Sequence, residues 1–439
     1  MSALEAKIIS DTIDQALKVE KAARDVARRK QRKILVLGQS ESGKSTLIKQ
    51  FRLLHSVETF AAGRQSWKSI VYLNIIRSMW KVLEIVSSRF DLAKPIDGDS
   101  HNLARLRLRL MPLRSVELSI VKSLSSPKGG TRARSNGCSD EKGPPGTEME
   151  KEYYDEYYDV VVHPDSIWQR LRQRCAHTTA PTAEREEAAV NTDDPARTLE
   201  ACAADMKQLW SCSVVRQCLK QTGLFIEEIS GFFLNDIERI ASPGYVPTDD
   251  DILRSRIKTI GPTETILPCL ELGLEWRIYD VGGARRQRAK WAPFFDDMDS
   301  IAVMVPVSAF DQVLAEDPSV NRLQDSFDMW RDLCKTTILR HIPVLLLLNK
   351  IDLLEKKLHA GIKISEYLVS YGDRPNELKS VLQYLNAHFI GLRERSGTPD
   401  LAPCYIHRTS LVNRATTQII VAHVRDKIAM EHVGLNGII

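Results

Sequence analysis

Short apolar segments recur along the chain, each closed by a glycine, a proline or a polar cluster. The run at 34–37, Ile-Leu-Val-Leu, leads into Gly38 and a turn, and a helical pattern follows over about 44–54. Comparable segments at 276–279, 301–305, 344–348 and 404–406 predict further strands. Helical patterns separate most of them. Strands alternating with helices predict an α/β fold whose parallel-rich sheet is covered on both faces.

Two regions depart from this alternation. Residues 9–30 read as a helix, with Ile9, Ile13, Ala16 and Leu17 at helical spacing, and the N-terminal element is placed at 1–32. It ends in a basic stretch, Arg28, Arg29, Lys30, Arg32 and Lys33, which reads equally as a solvated helix end or as a docking surface for a membrane or partner. Residues 60–240 carry helical segments, for instance 67–90 and 213–241, without a convincing strand series. This predicts an all-α domain at 59–246 inserted into an α/β domain made of 33–58 and 247–439. Within it, the Pro/Gly-rich tract 125–150 and the polar tract 177–198 are expected to be loops or disorder, an extra insertion spanning about 125–200. The tyrosines at 153, 154, 157 and 158 between them read as one aromatic face of a short helix, or as a partner motif.

Composition narrows the class. At 439 residues and 43% hydrophobic, the chain can bury a core of two or three domains. A net charge of +4 gives no global case for nucleic-acid binding. The eight cysteines show no CxxC spacing, which fits reduced thiols, and the ten histidines do not cluster with them into a zinc set. The first thirty residues hold no continuous apolar stretch that reads as a signal peptide, and runs such as 342–348 are too short to span a bilayer.

Three motifs carry chemistry. Gly38-Gln-Ser-Glu-Ser-Gly-Lys-Ser45 fits GxxxxGK[ST], placed after a strand and opening a helix. The N–H groups of such a loop point at phosphate oxygens, and the helix N-terminus adds favourable potential. Lys44 then reaches the β- and γ-phosphates, and the Ser45 hydroxyl ligates Mg²⁺. Asn349-Lys-Ile-Asp352 follows an apolar strand. The Asp352 carboxylate can accept from both N1–H and the exocyclic amine of guanine, a donor pair adenine lacks; Asn349 can bond N7, and the Lys350 stem can cover the ring. Asp280-Val-Gly-Gly283 follows another strand. Asp280 can hold Mg²⁺ through water, and Gly283 can bring its N–H to a γ-phosphate because no Cβ obstructs it. Each motif alone has a bland reading, the first as a chance match, the second as a polar turn and the third as a Gly-Gly turn; together they predict a GTP site.

With these residues the chain resembles the alpha subunits of heterotrimeric G proteins. The resemblance rests on Glu41-Ser-Gly-Lys-Ser-Thr46, Asp251-Ile-Leu-Arg-Ser-Arg-Ile-Lys-Thr259, the DVGG with Arg285 and Lys290-Trp291, Leu314-Ala-Glu-Asp317 with Asn321-Arg-Leu323, and NKID, in that order. It covers nearly the whole chain except about 125–200. It implies a Ras-like P-loop GTPase domain with an inserted helical domain. It implies GTP and GDP as ligands with Mg²⁺ as cofactor. The implied nucleotide contacts are Glu41, Ser42, Gly43, Lys44, Ser45 and Thr46; Leu253, Arg254, Ser255, Arg256, Ile257, Lys258 and Thr259; Asp280, Val281, Gly282 and Gly283; Asn349, Lys350 and Asp352; and Leu411. Arg256, Lys44 and Gly283 are the implied catalytic group, with Arg256 serving the transition state in cis. Ser45 and Thr259 are the implied metal ligands. Residues 282–291 match a switch segment facing a beta-gamma dimer or an effector. The C-terminal helix at about 418–433 and the tail 434–439 would meet a G protein-coupled receptor. A GTPase-activating regulator is a further implied partner, and nucleic acid is not. The implied location is cytoplasmic, peripheral at the inner face of the plasma membrane.

Several positions leave the family pattern. Ala284 stands where the family's water-orienting glutamine belongs, and the nearest glutamine, Gln287, is expected to point elsewhere. Ser40 replaces a P-loop glycine, where its side chain can crowd the γ-phosphate. The base loop reads Thr409-Ser-Leu-Val412, and Glu228-Ile229 replaces an Asp-Ser pair. Ser2 follows Met1, so no myristoylation motif is read, and no nearby cysteine suits palmitoylation. Asn436 stands where some members carry a modifiable cysteine. Two readings compete with a receptor-coupled GTPase: a GTP-binding interaction protein with almost no hydrolysis, and a P-loop ATPase or kinase, against which Asp352 argues.

Overall fold

The computed structural model describes residues 30–89, 100–125, 194–222, 225–257, 261–269, 273–415, 417–419 and 421–422, together with Gln15, Lys18 and Glu20. The chain divides into two compact units, one of residues 1–57 and 261–439, the other of residues 58–260.

The first unit is built on strands β1 (Gln31–Gly38), β2 (Thr263–Cys269), β3 (Leu274–Asp280), β4 (Ser300–Pro306), β7 (Val344–Asn349) and β8 (Cys404–Thr409), with a small hairpin of β5 (Val313–Leu314) and β6 (Asp317–Asn321). The sheet order is β2-β3-β1-β4-β7-β8, parallel throughout except for the antiparallel β2–β3 pair. The apolar strands alternate by face, as a pleat requires. Leu35, Leu37, Ile301, Val303, Val305, Leu346 and Leu348 enter one core with Phe327, Trp330 and Phe389. Their neighbours Ile34, Val36, Ala302, Met304, Leu345 and Leu347 enter the other, with Leu47, Phe51 and Trp276. A sheet buried on both faces is the α/β arrangement expected from the sequence.

The parallel register also brings the carboxyl ends of the strands side by side. Gly38 pairs with Met304, Pro306 with Asn349, and Asn349 with Thr409, while Val36 lies opposite Asp280. Ligands of open α/β sheets bind at this end.

Strand β2 was not foreseen. Its buried positions are Thr263, Thr265, Leu267 and Cys269, and its exposed ones include Ile266. Threonines inside and an isoleucine outside blur the period-two signal.

The second unit is helical throughout its described residues. Its centre is the 26-residue helix Arg64–Arg89, which buries Trp67, Ile70, Val71, Ile75, Ile76, Met79, Val82 and Val86. Helices Pro112–Ser125, Pro195–Ser211, Ser213–Gln221 and Asp249–Arg254 pack on it. The helical pattern over 213–241 is not continuous. The helix ends at Gln221, and 3₁₀ turns with Gly231 at φ +83° lead to the short helix Ile237–Ile240. The boundary also differs from the sequence reading. Residues 247–260 belong to the helical unit, because Asp251 is tied there by Arg239 and Tyr245.

Strand β1 starts at Gln31, so the basic stretch is not one solvated face: Arg32 is buried, and burial pulls its guanidinium below its ordinary pKa, with Asp299 opposing. The rest of the predicted N-terminal helix, the tracts at 125–150 and 177–198 for the most part, the tyrosine run and most of the C-terminal helix lie outside the described residues.

Candidate nucleotide-binding site

Between β1 and helix Lys44–His55 the chain makes a turn that two glycines allow. Gly38 has φ +145°, and a Cβ there would stand 2.5 Å from the Met304 carbonyl of β4. Gly43 has φ +110°, and its Cβ would stand 2.2 Å from Asn349 Nδ2. Both positions therefore need a residue without a side chain. The helix begins at Lys44, so its first N–H groups lie at this loop.

Lys44 is buried and curls over its own loop, with Nζ donating to the Gly38 carbonyl at 2.9 Å and the Gln39 carbonyl at 2.7 Å. Burial pulls its pKa down to about 8; Asp280 opposes this, and Arg288 and Arg322 add to it. Gly283 presses on the same place. A Cβ there would stand 2.4 Å from the Gly38 carbonyl and 2.6 Å from Lys44 Nζ. Ser45 Oγ donates to Asp280 Oδ2 at 3.3 Å. Asp280 Oδ1 is buried without a hydrogen-bond partner, and burial pushes this carboxyl up against the pull of Lys44 and Ser45. Two adjacent hard oxygen donors, one of them orphaned, fit a divalent cation.

Asn349, at the end of β7, joins the loop to the base side. Its Nδ2 donates to the Ser42 carbonyl at 2.8 Å, and its Oδ1 accepts from Leu411 N at 3.1 Å. Both amide ends thus serve the protein, and one N–H remains with which Asn349 can bond guanine N7 as the sequence predicts. Gln50 Nε2 holds the Leu411 carbonyl at 2.7 Å from the helix below. Lys350 takes φ +68° before helix Ile351–His359, and Asp352 is half-buried in that helix's first turn.

Beyond Gly283 the chain forms the 3₁₀ segment Arg285–Phe294. Trp291 is buried, and its Nε1 donates to the Gly282 carbonyl at 2.9 Å. Gln287 folds back against the turn that precedes it. A Cβ added at Gly282 would stand 2.2 Å from Gln287 Oε1. The cause is the tight turn in which Gln287 N donates to the Ala284 carbonyl at 2.8 Å; three residues per turn bring 287 back to the side of 284. Ser40 is exposed, and its carbonyl accepts from Arg322 Nη2 at 2.6 Å.

One part of the site was missed in the sequence. Gln39 is buried, and its Nε2 donates to Asp325 Oδ2 at 2.5 Å and to the Arg322 carbonyl at 2.6 Å. Arg288 grips the same carboxylate, with Nη1 on Oδ1 at 3.0 Å and Nη2 on Oδ2. The phosphate loop, helix Arg322–Lys335 and the segment after Gly283 thus share one buried polar knot. The available signal was a glutamine among the loop's variable positions, where a buried amide demands partners.

Glu41, Thr46 and Val281 lie in the first unit with the loop and β3, whereas the predicted contacts at 253–259 belong to the helical unit. Leu253 and Ser255 are buried at the end of helix Asp249–Arg254, whose capping box joins Thr248 and Asp251. Arg254 binds Asp236 at 3.2 Å and Asp251 at 3.4 Å. Burial would raise the Asp251 carboxyl, but Arg239, the Thr248 N–H and Tyr245 outweigh it and hold the pKa at about 2. Arg256 is held through its backbone by Asn74. Ile257 is partly buried, and Lys258 and Thr259 lie outside the described residues.

A family model described as "G-protein alpha subunit" matches residues 7–428. The guanine nucleotide-binding protein alpha-4 subunit of Mycosarcoma maydis is 29% identical, covering 93% of this chain and 83% of the relative. The guanine nucleotide-binding protein subunit alpha of Candida albicans is 27% identical, and the alpha-1 subunit of Saccharomyces cerevisiae 28%; each alignment covers 99% of this chain and 96% of the relative. With a Ras-like sheet, an inserted helical unit and a family match over nearly its whole length, the chain belongs to the G-protein alpha subunit family.

Proposed function

We propose that this guanine nucleotide-binding alpha subunit works as a GTP/GDP switch with slow hydrolysis, carrying signals from a G protein-coupled receptor to an effector. Its resting partner on this reading is a beta-gamma dimer, and its place is peripheral, on the inner face of the plasma membrane. A GTPase-activating regulator belongs to the same scheme. The observation that carries the reading is the convergence of Lys44, Ser45, Asp280 and Gly283 at the strand ends.

The residues divide the work. The loop N–H groups and the helix N-terminus receive the phosphates. Lys44, with its ammonium held at the loop by the Gly38 and Gln39 carbonyls, offers its charge to the phosphate oxygens. Ser45 and Asp280 would hold Mg²⁺, with Thr259 as a further ligand, and the ion supplies charge neutralisation when bound. Gly283 offers its N–H to the γ-phosphate, and Asp352 reads the guanine edge. Arg256 stabilises the transition state. Ala284 has only a methyl group where attacking water needs a polar partner, so chemistry is slow and the GTP-bound state long-lived. The same methyl favours a second reading, an interaction protein governed by nucleotide exchange with almost no turnover.

Competition binding on the full chain tests the base site. GTP and GDP should displace a labelled guanine nucleotide and ATP should not. Asp352→Asn should weaken GTP binding and improve xanthosine triphosphate binding relative to it, because an acceptor becomes a donor. Unchanged GTP affinity in that variant sinks the assignment.

A further inference from the structure

The helical unit contains a two-point grip on the arginine assigned to the transition state. Asn74 lies in the middle of helix Arg64–Arg89 and is 7% exposed. Its Oδ1 accepts from Arg256 N at 2.6 Å, and its Nδ2 donates to the Arg256 carbonyl at 3.0 Å. Both backbone groups of one residue are thereby satisfied by one planar amide, as a neighbouring strand would satisfy them. Asparagine is a poor choice for a helix interior, because its amide competes with the backbone. Here the amide is spent on another segment.

The surroundings keep it in place. Ser78 Oγ donates to the Asn74 carbonyl at 2.9 Å and to the Gly231 carbonyl at 3.3 Å. Gly231 has φ +83°, and a Cβ there would stand 2.7 Å from Asn74 Oδ1 and 3.2 Å from Arg256 Cβ. The glycine clears the space in which the amide and the arginine backbone meet. On the amino side, Ser255 is extended at φ −62°, ψ 144° beyond the end of helix Asp249–Arg254. Arg256 is thus past the helical ladder, and its backbone direction is set by Asn74.

We propose that Asn74 is the positioning residue for Arg256 in GTP hydrolysis. It fixes where the arginine leaves the backbone, so less conformational freedom of this residue has to be lost in the transition state. The proposal rests on the reading of Arg256 as the transition-state arginine.

The test is single-turnover GTP hydrolysis by the full chain, with GTP affinity measured in parallel. The variants are Asn74→Ala, the isosteric Asn74→Asp, Arg256→Ala and the Asn74→Ala/Arg256→Ala pair. Asn74→Asp keeps the acceptor for Arg256 N and loses the donor, and it retains the volume should the alanine variant fail to fold. Asn74→Ala should slow hydrolysis by about 10–100-fold with GTP affinity unchanged, and Asn74→Asp should fall between it and the unmodified protein. The pair should be no slower than Arg256→Ala alone, because the two act as one unit. A merely structural asparagine would instead give additive losses or weaken GTP binding. If Arg256→Ala is slow while both Asn74 variants hydrolyse at the unmodified rate, the positioning role is overturned and the arginine reading stands. If Arg256→Ala hydrolyses normally, that reading falls and the positioning role with it.

Discussion

At the scale of single residues, the catalytic question centres on position 284. A methyl group cannot orient water, while the Gln287 amide sits folded against Gly282. Ala284→Gln should raise the single-turnover rate by about 10²–10³, the usual worth of one positioned polar group. If the unmodified protein already matches Ala284→Gln, and Gln287→Ala slows it, then Gln287 does that work and slow turnover is the wrong reading. The residues that were legible from sequence are those whose role is written in a local motif. Gly38, Gly43 and Lys44 need each other within eight positions, so spacing alone announces them. Gln39, Asp325, Asn74 and the backbone tie at Asn349 were not legible. Each acts across at least 180 residues of sequence, and a local pattern cannot say which distant atom will satisfy a buried amide.

At the scale of elements, the 3₁₀ segment Arg285–Phe294 is the part most directly wired to the phosphate loop. Arg288 and Gln39 share the Asp325 carboxylate, and Trp291 bonds the carbonyl beside Gly283. A γ-phosphate drawing on the Gly283 N–H therefore moves the group that Trp291 is bonded to. Exchange of GDP for a non-hydrolysable GTP analogue with Mg²⁺ should change tryptophan fluorescence, and Trp291→Phe should abolish the change. Persistence of the signal in that variant would assign it to one of the other six tryptophans and remove this wiring. Of the strands flanking this segment, β4 was readable because it is apolar on both faces, and β3 because Trp276 and Ile278 alternate with charged neighbours. Strand β2 was not, because an edge strand that buries threonine and exposes isoleucine follows its hairpin partner rather than hydrophobic alternation.

At the scale of the whole molecule, the site holds buried polar groups that a ligand can satisfy: Lys44 depressed by burial, Asp280 raised by it and unpaired at Oδ1. A ligand that satisfies them binds the folded chain and not the unfolded one. At one hundred times its dissociation constant, such a ligand stabilises by about 2.7 kcal/mol. Thermal melts should move upward with GDP and Mg²⁺ and should not move with ADP and Mg²⁺. Equal shifts with both would show that the site does not select its base.

Asn349 has a consequence for how this selectivity can change. Its amide splices the phosphate loop to the segment after β8, so it is mortar as much as lettering. A substitution there would loosen both loops before it altered any preference, and every nucleotide would suffer alike. Asp352 has no such second duty among the described contacts, standing half-buried in the first turn of its helix. Redesign of the pocket for another base, in the laboratory or by drift, therefore has one open door at 352 and a closed one at 349.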